Sequence, residues 1–424
     1  MSNRAVITGI GIIAPNGTGK KNYWHAITAG ESGIKKISRF DTSCYPTKIG
    51  GEVTDFNPLD YVEKRKSTML SRFAQFALAA TNMALEDSGL KFESEDPYKI
   101  GVALGTSMGG EEVDEEQNSK FKEMGWDNID PLSPVKISTN HAVGVIAAEL
   151  KIKGPNSTIC TGCSSSLSAI GYAVDLIKAN KVDIIIAGGS EAPLVPFAFN
   201  CFCSAGVLSR KNGKPEKVSR PFEKNRDGYL LAEGCGIIII ESLEHALKRK
   251  AIIYSEIAGY GVTNDGYSIF RMEPTGKEAA KAMELSLQDA NIEAKDIDYI
   301  NAHGSSSILS DKRETNAIKT VFGDHAYKTP ISSIKSMIGQ PLAATGAIQT
   351  ITTALAIKNS CIPPTINYEE NDPDCDLDYT PNKSQTKDIN YGMINGFGLG
   401  GNNVSLVLGK YKETSMIVNS AMVR

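Results

Sequence analysis

Five histidines are all that 424 residues supply, so every candidate imidazole proton shuttle can be named: His25, His141, His245, His303 and His325. His25, His245 and His325 fall in surface-like helices or polar turns, as solvated or locally hydrogen-bonded side chains. His141 opens the apolar stretch AVGVIAAEL and reads as a cap or a packed residue. His303 differs, because it follows the apolar run IDYINA and precedes Gly304-Ser305-Ser306-Ser307, where a ring can project from a strand end into a cleft. Cys163 is the matching nucleophile candidate. It lies between the short β-prone run STI and the apolar helix pattern SSLSAIGYAVDLIKAN, near a helix N-terminus whose dipole favours thiolate over thiol. Such a sulfur can take an acyl group while backbone N–H groups hold the oxyanion. A buried structural cysteine is the competing reading. A zinc or redox role for Cys160-x-x-Cys163 lacks a second matched pair, since Cys201-x-Cys203 has the wrong spacing. Lys335, after ISSI in a Gly-bounded loop, is the remaining inward-charge candidate beside the default of a solvated lysine.

Three motifs mimic other chemistries. Gly9-x-Gly11-x-x-Ala14 follows a strand, but Pro15, Asn16 and Gly17 interrupt the place where a dinucleotide-binding helix would open. Gly396-x-Gly398-x-x-Gly401 lies too near the C-terminus for a following βαβ unit. Gly105-Thr-Ser107-Met-Gly109 has the order of a hydrolase elbow, yet it leads into the acidic, solvated GEEVDEEQNSK rather than an apolar helix face.

The elements that must position Cys163, His303 and Lys335 alternate between strand and helix patterns. RAVITGIGIIAP reads as a strand, SRFAQFALAATNMALEDSG as a helix ending at Gly89, and KIGVALGTS and KVDIIIAGGSE as buried strands. Leu167, Ile170, Val174 and Ile177 share one face of the helix after Cys163. The second half repeats the plan, with IDYINAHGSS against IGVALGTS and SEIAGYGVTND against AVITGIGIIAP, which implies α/β layers and an internal duplication with its seam near Arg249. Composition agrees with a globular α/β body: 41% hydrophobic, 22% charged, 39 Gly and 18 Pro. With 45 Lys+Arg against 49 Asp+Glu there is no basic excess for nucleic acid. Eight cysteines are too sparse for a disulfide scaffold, and no apolar run is long enough to span a bilayer, so a cytoplasmic protein is expected.

TGCSSSLSAIGYA around Cys163, NAHGSSS around His303, SSIKSM around Lys335, IPPTINYEENDPDCDLDYTPN and the terminal GFGLGGNN together resemble a β-ketoacyl-acyl-carrier-protein synthase of the condensing-enzyme family, over residues 3–410. STICTGC, GDHAYKTPISSIKSM and EIAGYG are closest in pattern to the ketosynthases of type II polyketide synthases. The resemblance implies an α/β, thiolase-like fold, a duplicated five-layer αβαβα body. Residues 1–250 would form the half with Cys163, 251–412 the half with His303 and Lys335, and 413–424 a tail. It implies that Cys163 accepts an acyl chain from the phosphopantetheine arm of an acyl carrier protein, with His303 catalytic and Lys335 ordering the site. The oxyanion hole would be the backbone N–H groups of Cys163 and Leu399, with Glu314, Gln349 and Phe397 in support. No metal or other cofactor is implied, and the partners would be the carrier protein and a second subunit, in a homodimer or in a heterodimer with a chain-length subunit.

The chain departs from the family pattern at connected places. The family's KSMxGH reads KSMIGQ, so Gln340 stands at the second catalytic histidine; a glutamate that partners the lysine is Gln349. YHM appears as Tyr267-Ser268-Ile269, and Leu399 replaces an aromatic gate residue. Glutamine donates a hydrogen bond but carries no proton or charge near neutral pH. The resemblance implies decarboxylative Claisen condensation with malonyl-carrier protein, and Gln340 and Gln349 motivate a non-elongating alternative. The alternatives are a non-elongating acyltransferase, malonyl decarboxylase or starter-handling enzyme, or a chain-length partner subunit, against which the retained Cys163 argues.

Overall fold

The computed structural model describes residues 4–412, so the tail expected at 413–424 lies outside the described residues. The first half runs β1 (Ala5–Ala14), α1 (Arg72–Ser88), β2 (Ile100–Gly105), α2 (His141–Leu150), β3 (Asn156–Ile159), α3 (Ser165–Lys178), β4 (Ile184–Glu191) and β5 (Gly234–Ser242). The second repeats it with β6 (Ser255–Asn264), α4 (Lys277–Ala290), β7 (Tyr299–Asn301), α5 (Ile308–Phe322), β8 (Ile331–Ser332), α6 (Thr345–Asn359), β9 (Tyr391–Phe397) and β10 (Asn402–Gly409). The strand orders are identical, β3-β2-β4-β5-β1 and β8-β7-β9-β10-β6. Each half has two parallel pairings at its outer edge and two antiparallel ones toward the seam. The duplication suggested by IGVALGTS and IDYINAHGSS thus corresponds to β2 and β7, in equivalent sheet positions. A short antiparallel pairing of Ala5–Ile7 with Ser255–Ile257 joins the two halves into one continuous sheet.

Five layers follow from how the strands bury both faces. In β5, Ile238 and Ile240 point into the central core while Ile237 and Ile239 point into an outer one. A strand covered on both faces has no polar alternation, which is why CGIIIIES reads as a continuous apolar run. The central core takes α3 through Leu167, Ile170, Val174 and Ile177, and α6 through Ile348, Ile351 and Leu355. Phe73 and Phe76 of α1 and Ile146 of α2 cover one outer face; Met283 and Leu287 of α4 and Ile318 of α5 cover the other. α1 ends as its sequence predicts, with Gly89 in the left-handed region at φ 63°. The acidic stretch after Gly109 is helical, Glu111–Met124, and keeps a largely solvated surface.

Candidate active site

Cys163 sits on the turn from β3 to α3. Gly162 makes that turn at φ +62°, and a Cβ there would meet the backbone of Leu399 at 3.2–3.3 Å. Ser164 and Ser165 do more than leave space beside the sulfur, because they tie the turn shut. Ser165 Oγ accepts from Thr161 N–H at 2.9 Å and donates to Gly162 O at 2.5 Å, while Ser164 Oγ donates to Thr161 O at 2.8 Å. Ser107, of the rejected hydrolase elbow, is spent on the same turn through a 3.1 Å bond to Gly162 O.

The sulfur is buried among Leu194, Phe199, Leu208, Leu231 and Leu342. Burial raises the thiol above its ordinary value, and the buried Glu191 carboxylate adds to the rise. A hydrogen bond from the Gln340 side chain, the Lys335 charge and the Leu399 N–H oppose it. The helix-terminus argument, which favoured thiolate in the resting protein, is overridden here by desolvation, a tertiary effect.

His303 leaves the end of β7 into a nest of fixed donors and acceptors. Its own N–H and that of Gly304 donate to the two Glu314 oxygens at 2.8 and 2.7 Å, and its carbonyl accepts from Lys335 Nζ. Its Nδ1 accepts from the Phe397 N–H at 3.2 Å, so the neutral ring carries its proton on Nε2. Burial, followed by the Lys335 and Arg313 charges, holds the imidazole well below its ordinary pKa. Lys335, 1% exposed, opens a four-residue helix after the two-residue β8. Burial lowers its ammonium, while Glu314 and the thiolate form of Cys163 support it; Glu314 is raised by its own burial.

Lys335 therefore has Glu314, not residue 349, as its chief carboxylate. Gln349 Nε2 donates to Ala302 O at 2.7 Å and to Asn301 O at 3.2 Å, bracing the strand end that delivers His303. Its Oε1 is buried without a hydrogen-bond partner. Gln340 is 2% exposed and clamped through its backbone, its N–H to Leu230 O at 2.8 Å and its carbonyl from Ala232 N–H at 3.1 Å.

The segment Phe397–Leu399 spans the site. Phe397 N–H donates to the His303 ring, the Leu399 backbone lies against the Gly162–Cys163 turn, and the Leu399 side chain is left half-exposed. The predicted set of Cys163, His303, Lys335, Gln340, Glu314, Phe397 and Leu399 is thereby linked through contacts and charge, with Gln349 behind it. Three contributors were not read from the sequence. Glu191 ends the apolar strand β4 as a buried carboxylate accepting from Thr106 Oγ1 at 2.9 Å and from the Ser107, Met108 and Ala343 N–H groups at 2.8, 3.0 and 3.3 Å. Asn395 donates to Glu314 at 3.2 Å, and Arg313 lies over the Phe397 ring at 5.2 Å. A charge closing an otherwise apolar strand was the available signal for Glu191. Among the described residues no group of three or more His, Cys, Asp or Glu side chains is arranged to hold a metal ion, and no helix is long and apolar enough to cross a membrane.

The repeated βαβαβαββ halves, with Cys163 on one and His303 and Lys335 on the other, define a thiolase-like condensing-enzyme architecture. Residues 2–246 match the beta-ketoacyl synthase N-terminal domain and residues 254–369 its C-terminal domain. The chain belongs to the β-ketoacyl synthase family. It is 42% identical over 407 residues to the 3-oxoacyl-[acyl-carrier-protein] synthase 2 of Coxiella burnetii, covering 96% of this chain and 98% of that one. The protein of the same name from a Synechocystis strain is 40% identical, with 96% and 98% covered. A type II polyketide-synthase ketosynthase, solved in complex with its acyl-carrier protein, superposes with a TM-score of 0.91 at 35% identity, covering 97% of this chain and 100% of that one. The ishigamide ketosynthase/chain length factor matches with the same score, identity and coverage.

Proposed function

We propose that the protein is an acyl-carrier-protein-dependent β-ketoacyl synthase using Cys163 as its nucleophile. In the first half-reaction the Cys163 sulfur attacks the thioester carbonyl of an acyl-carrier protein. The N–H groups of Cys163 and Leu399 hold the oxyanion, the pantetheine thiolate leaves, and the thiol proton passes to it, so that one thioester replaces another. In the second, malonyl-carrier protein loses CO₂ and its enolate carbon attacks the Cys163 thioester, releasing the β-ketoacyl product and the free cysteine. The growing negative charge on the malonyl thioester oxygen needs donors rather than acids. Neutral His303 offers Nε2–H, and Gln340 offers a carboxamide N–H in place of a second imidazole. Such preorganised donors each contribute on the order of 10²–10³ in rate.

The observation that carries this reading is the setting of His303, whose Nδ1 accepts from Phe397 N–H and whose carbonyl accepts from the buried Lys335 Nζ, so that a neutral Nε2–H donor and a cation are held together. The substrates arrive on the phosphopantetheine arm, and no further cofactor is called for. The partners are the carrier protein and a second ketosynthase-like subunit, identical or of the chain-length type, in the cytoplasm. Incubation with acyl- and malonyl-carrier protein, followed by intact mass, tests it: a Cys163 adduct and a β-ketoacyl-carrier product are expected. Gln340 favours one second reading, a homologue that decarboxylates malonyl-carrier protein without elongating, for which acetyl-carrier protein would be the sole product. Absence of any Cys163 adduct sinks both.

A further inference from the structure

We propose that Thr345 is a positioning residue for the carboxamide of Gln340, occupying its Oε1 so that Nε2 is presented to Cys163. The inference deepens the proposed function and rests on it only for its catalytic meaning. Thr345 is the first residue of α6 and 1% exposed, and its hydroxyl donates to Gln340 Oε1 at 3.4 Å. Its neighbours behave differently. Thr350, Thr352 and Thr353 all donate their hydroxyl protons to their own helix, to Gly346 O, Ile348 O and Gln349 O at 2.7–2.9 Å, although Thr352 also meets Tyr23 OH and Thr353 also accepts from Asn301 Nδ2. Thr345 stands in the first turn and bonds outward to the side chain that faces the nucleophile.

A carboxamide is nearly symmetric in shape, so packing alone cannot choose which end faces the sulfur; hydrogen bonding must choose. With its backbone clamped between Leu230 and Ala232, Gln340 has only side-chain torsions left to vary. A thiolate or a developing oxyanion requires the N–H end. That orientation turns Oε1 into the protein, where a buried acceptor without a partner is unfavourable. Thr345 removes that obstacle. An imidazole at residue 340 would meet a different requirement, so the Thr345–Gln340 pair is a local unit built for an amide donor.

The test is the pH dependence of Cys163 carboxamidomethylation by iodoacetamide, from about pH 6 to 10, read at the Cys163 peptide by mass spectrometry because other cysteines are exposed. Thr345→Val is expected to move the midpoint to higher pH. Alkylation near pH 7 would fall about tenfold while the alkaline plateau stays the same, one pKa unit corresponding to tenfold in thiolate population. Thr345→Ser should return the profile to within about twofold. In a Gln340→Leu background the Thr345→Val shift should vanish. A Thr345→Val profile that superposes on the parent, a plateau lowered at all pH values without rescue by serine, or a shift that persists without Gln340 each overturns the assignment. If the valine variant does not fold, as judged by circular dichroism, Thr345→Ala is read against Thr345→Ser in the same way. Alkylation needs no carrier protein, so a shifted profile beside a failed condensation assay would sink the functional reading and keep the Thr345 assignment, and the converse separates them equally.

Discussion

The main-chain N–H of Phe397 donates to Nδ1 of His303 at 3.2 Å, which fixes the neutral imidazole as an Nε2–H donor. Protonating Nδ1 would turn that contact into two facing donors, and burial, Lys335 and Arg313 already oppose the charged form. His303 therefore stays neutral well below the ordinary imidazole value. The acid limb of kcat for condensation is expected below about pH 6.5, the unperturbed histidine value. Lys335→Met removes a cation that disfavours imidazolium, so the limb should move to higher pH in that variant. A pH–rate profile of both proteins checks the direction, and a limb that stays put excludes His303 as its origin.

Gln340 separates the two half-reactions. In the proposed reaction its N–H serves the malonyl oxygen, whereas capture of the acyl chain depends on the oxyanion hole of Cys163 and Leu399. Gln340→Ala should lower malonyl decarboxylation by about 10²-fold, the scale of a lost oxyanion donor, and lower Cys163 acylation by much less. Single-turnover measurement of each step by intact mass gives the two rates. Gln340→His raises condensation if the absent imidazole limits the rate; an unchanged or lower rate places the limit elsewhere.

Asp265 and Arg313 form a buried pair beside this site, with side-chain exposures of 1% and 2%. Arg313 Nη2 donates to Asp265 Oδ1 at 2.6 Å and to Asn403 Oδ1 at 2.9 Å, and Asp265 Oδ2 accepts from Glu273 N–H at 3.0 Å. Removing one partner strands the other charge. Asp265→Ala is expected to destabilise the fold by about 3–5 kcal/mol, and Asp265→Ala with Arg313→Met by less than that single change. Urea denaturation of the three proteins decides it; a double variant no better than the single would place the cost in lost packing.

What could be read in the sequence was local. The turn at Gly162-Cys163, the apolar face of α3, the continuous apolar run of β5 and the cap at Gly89 each follow from residues within one or two turns of chain. The internal duplication was legible because two pairs of segments repeat; the strand order within each half was not. Contacts set by sheet register were harder to see. That Phe397 N–H meets His303 depends on β9 lying parallel beside β7, and the place of Lys335 by Glu314 depends on α5 packing under both. The thiolate expected at Cys163 failed for the same reason, since desolvation comes from Leu194, Phe199 and Leu342, all distant in sequence. Family resemblance gave Gln349 a supporting place; its bonds to the Ala302 and Asn301 carbonyls brace the strand end and supply no counter-charge.

His141 contributes a pH dependence to stability that one substitution can isolate. It is 5% exposed, neither ring nitrogen has a hydrogen-bond partner, and burial, with Lys136 nearby, lowers its pKa to about 4. The unfolded chain, with an ordinary histidine near 6.5, binds a proton over a range where the folded chain does not. The His141 contribution to folded stability therefore rises with pH between about 4 and 6.5, and acidification through that window removes up to about 3 kcal/mol of it. His141→Leu deletes two orphaned nitrogens and keeps an apolar side chain against Phe73, with which the ring now packs at 6.4 Å. That variant should match or exceed the parent at pH 7 and lose less stability at pH 5. Thermal melts of both proteins at the two pH values read this directly, and equal acid sensitivity would assign the loss to other groups.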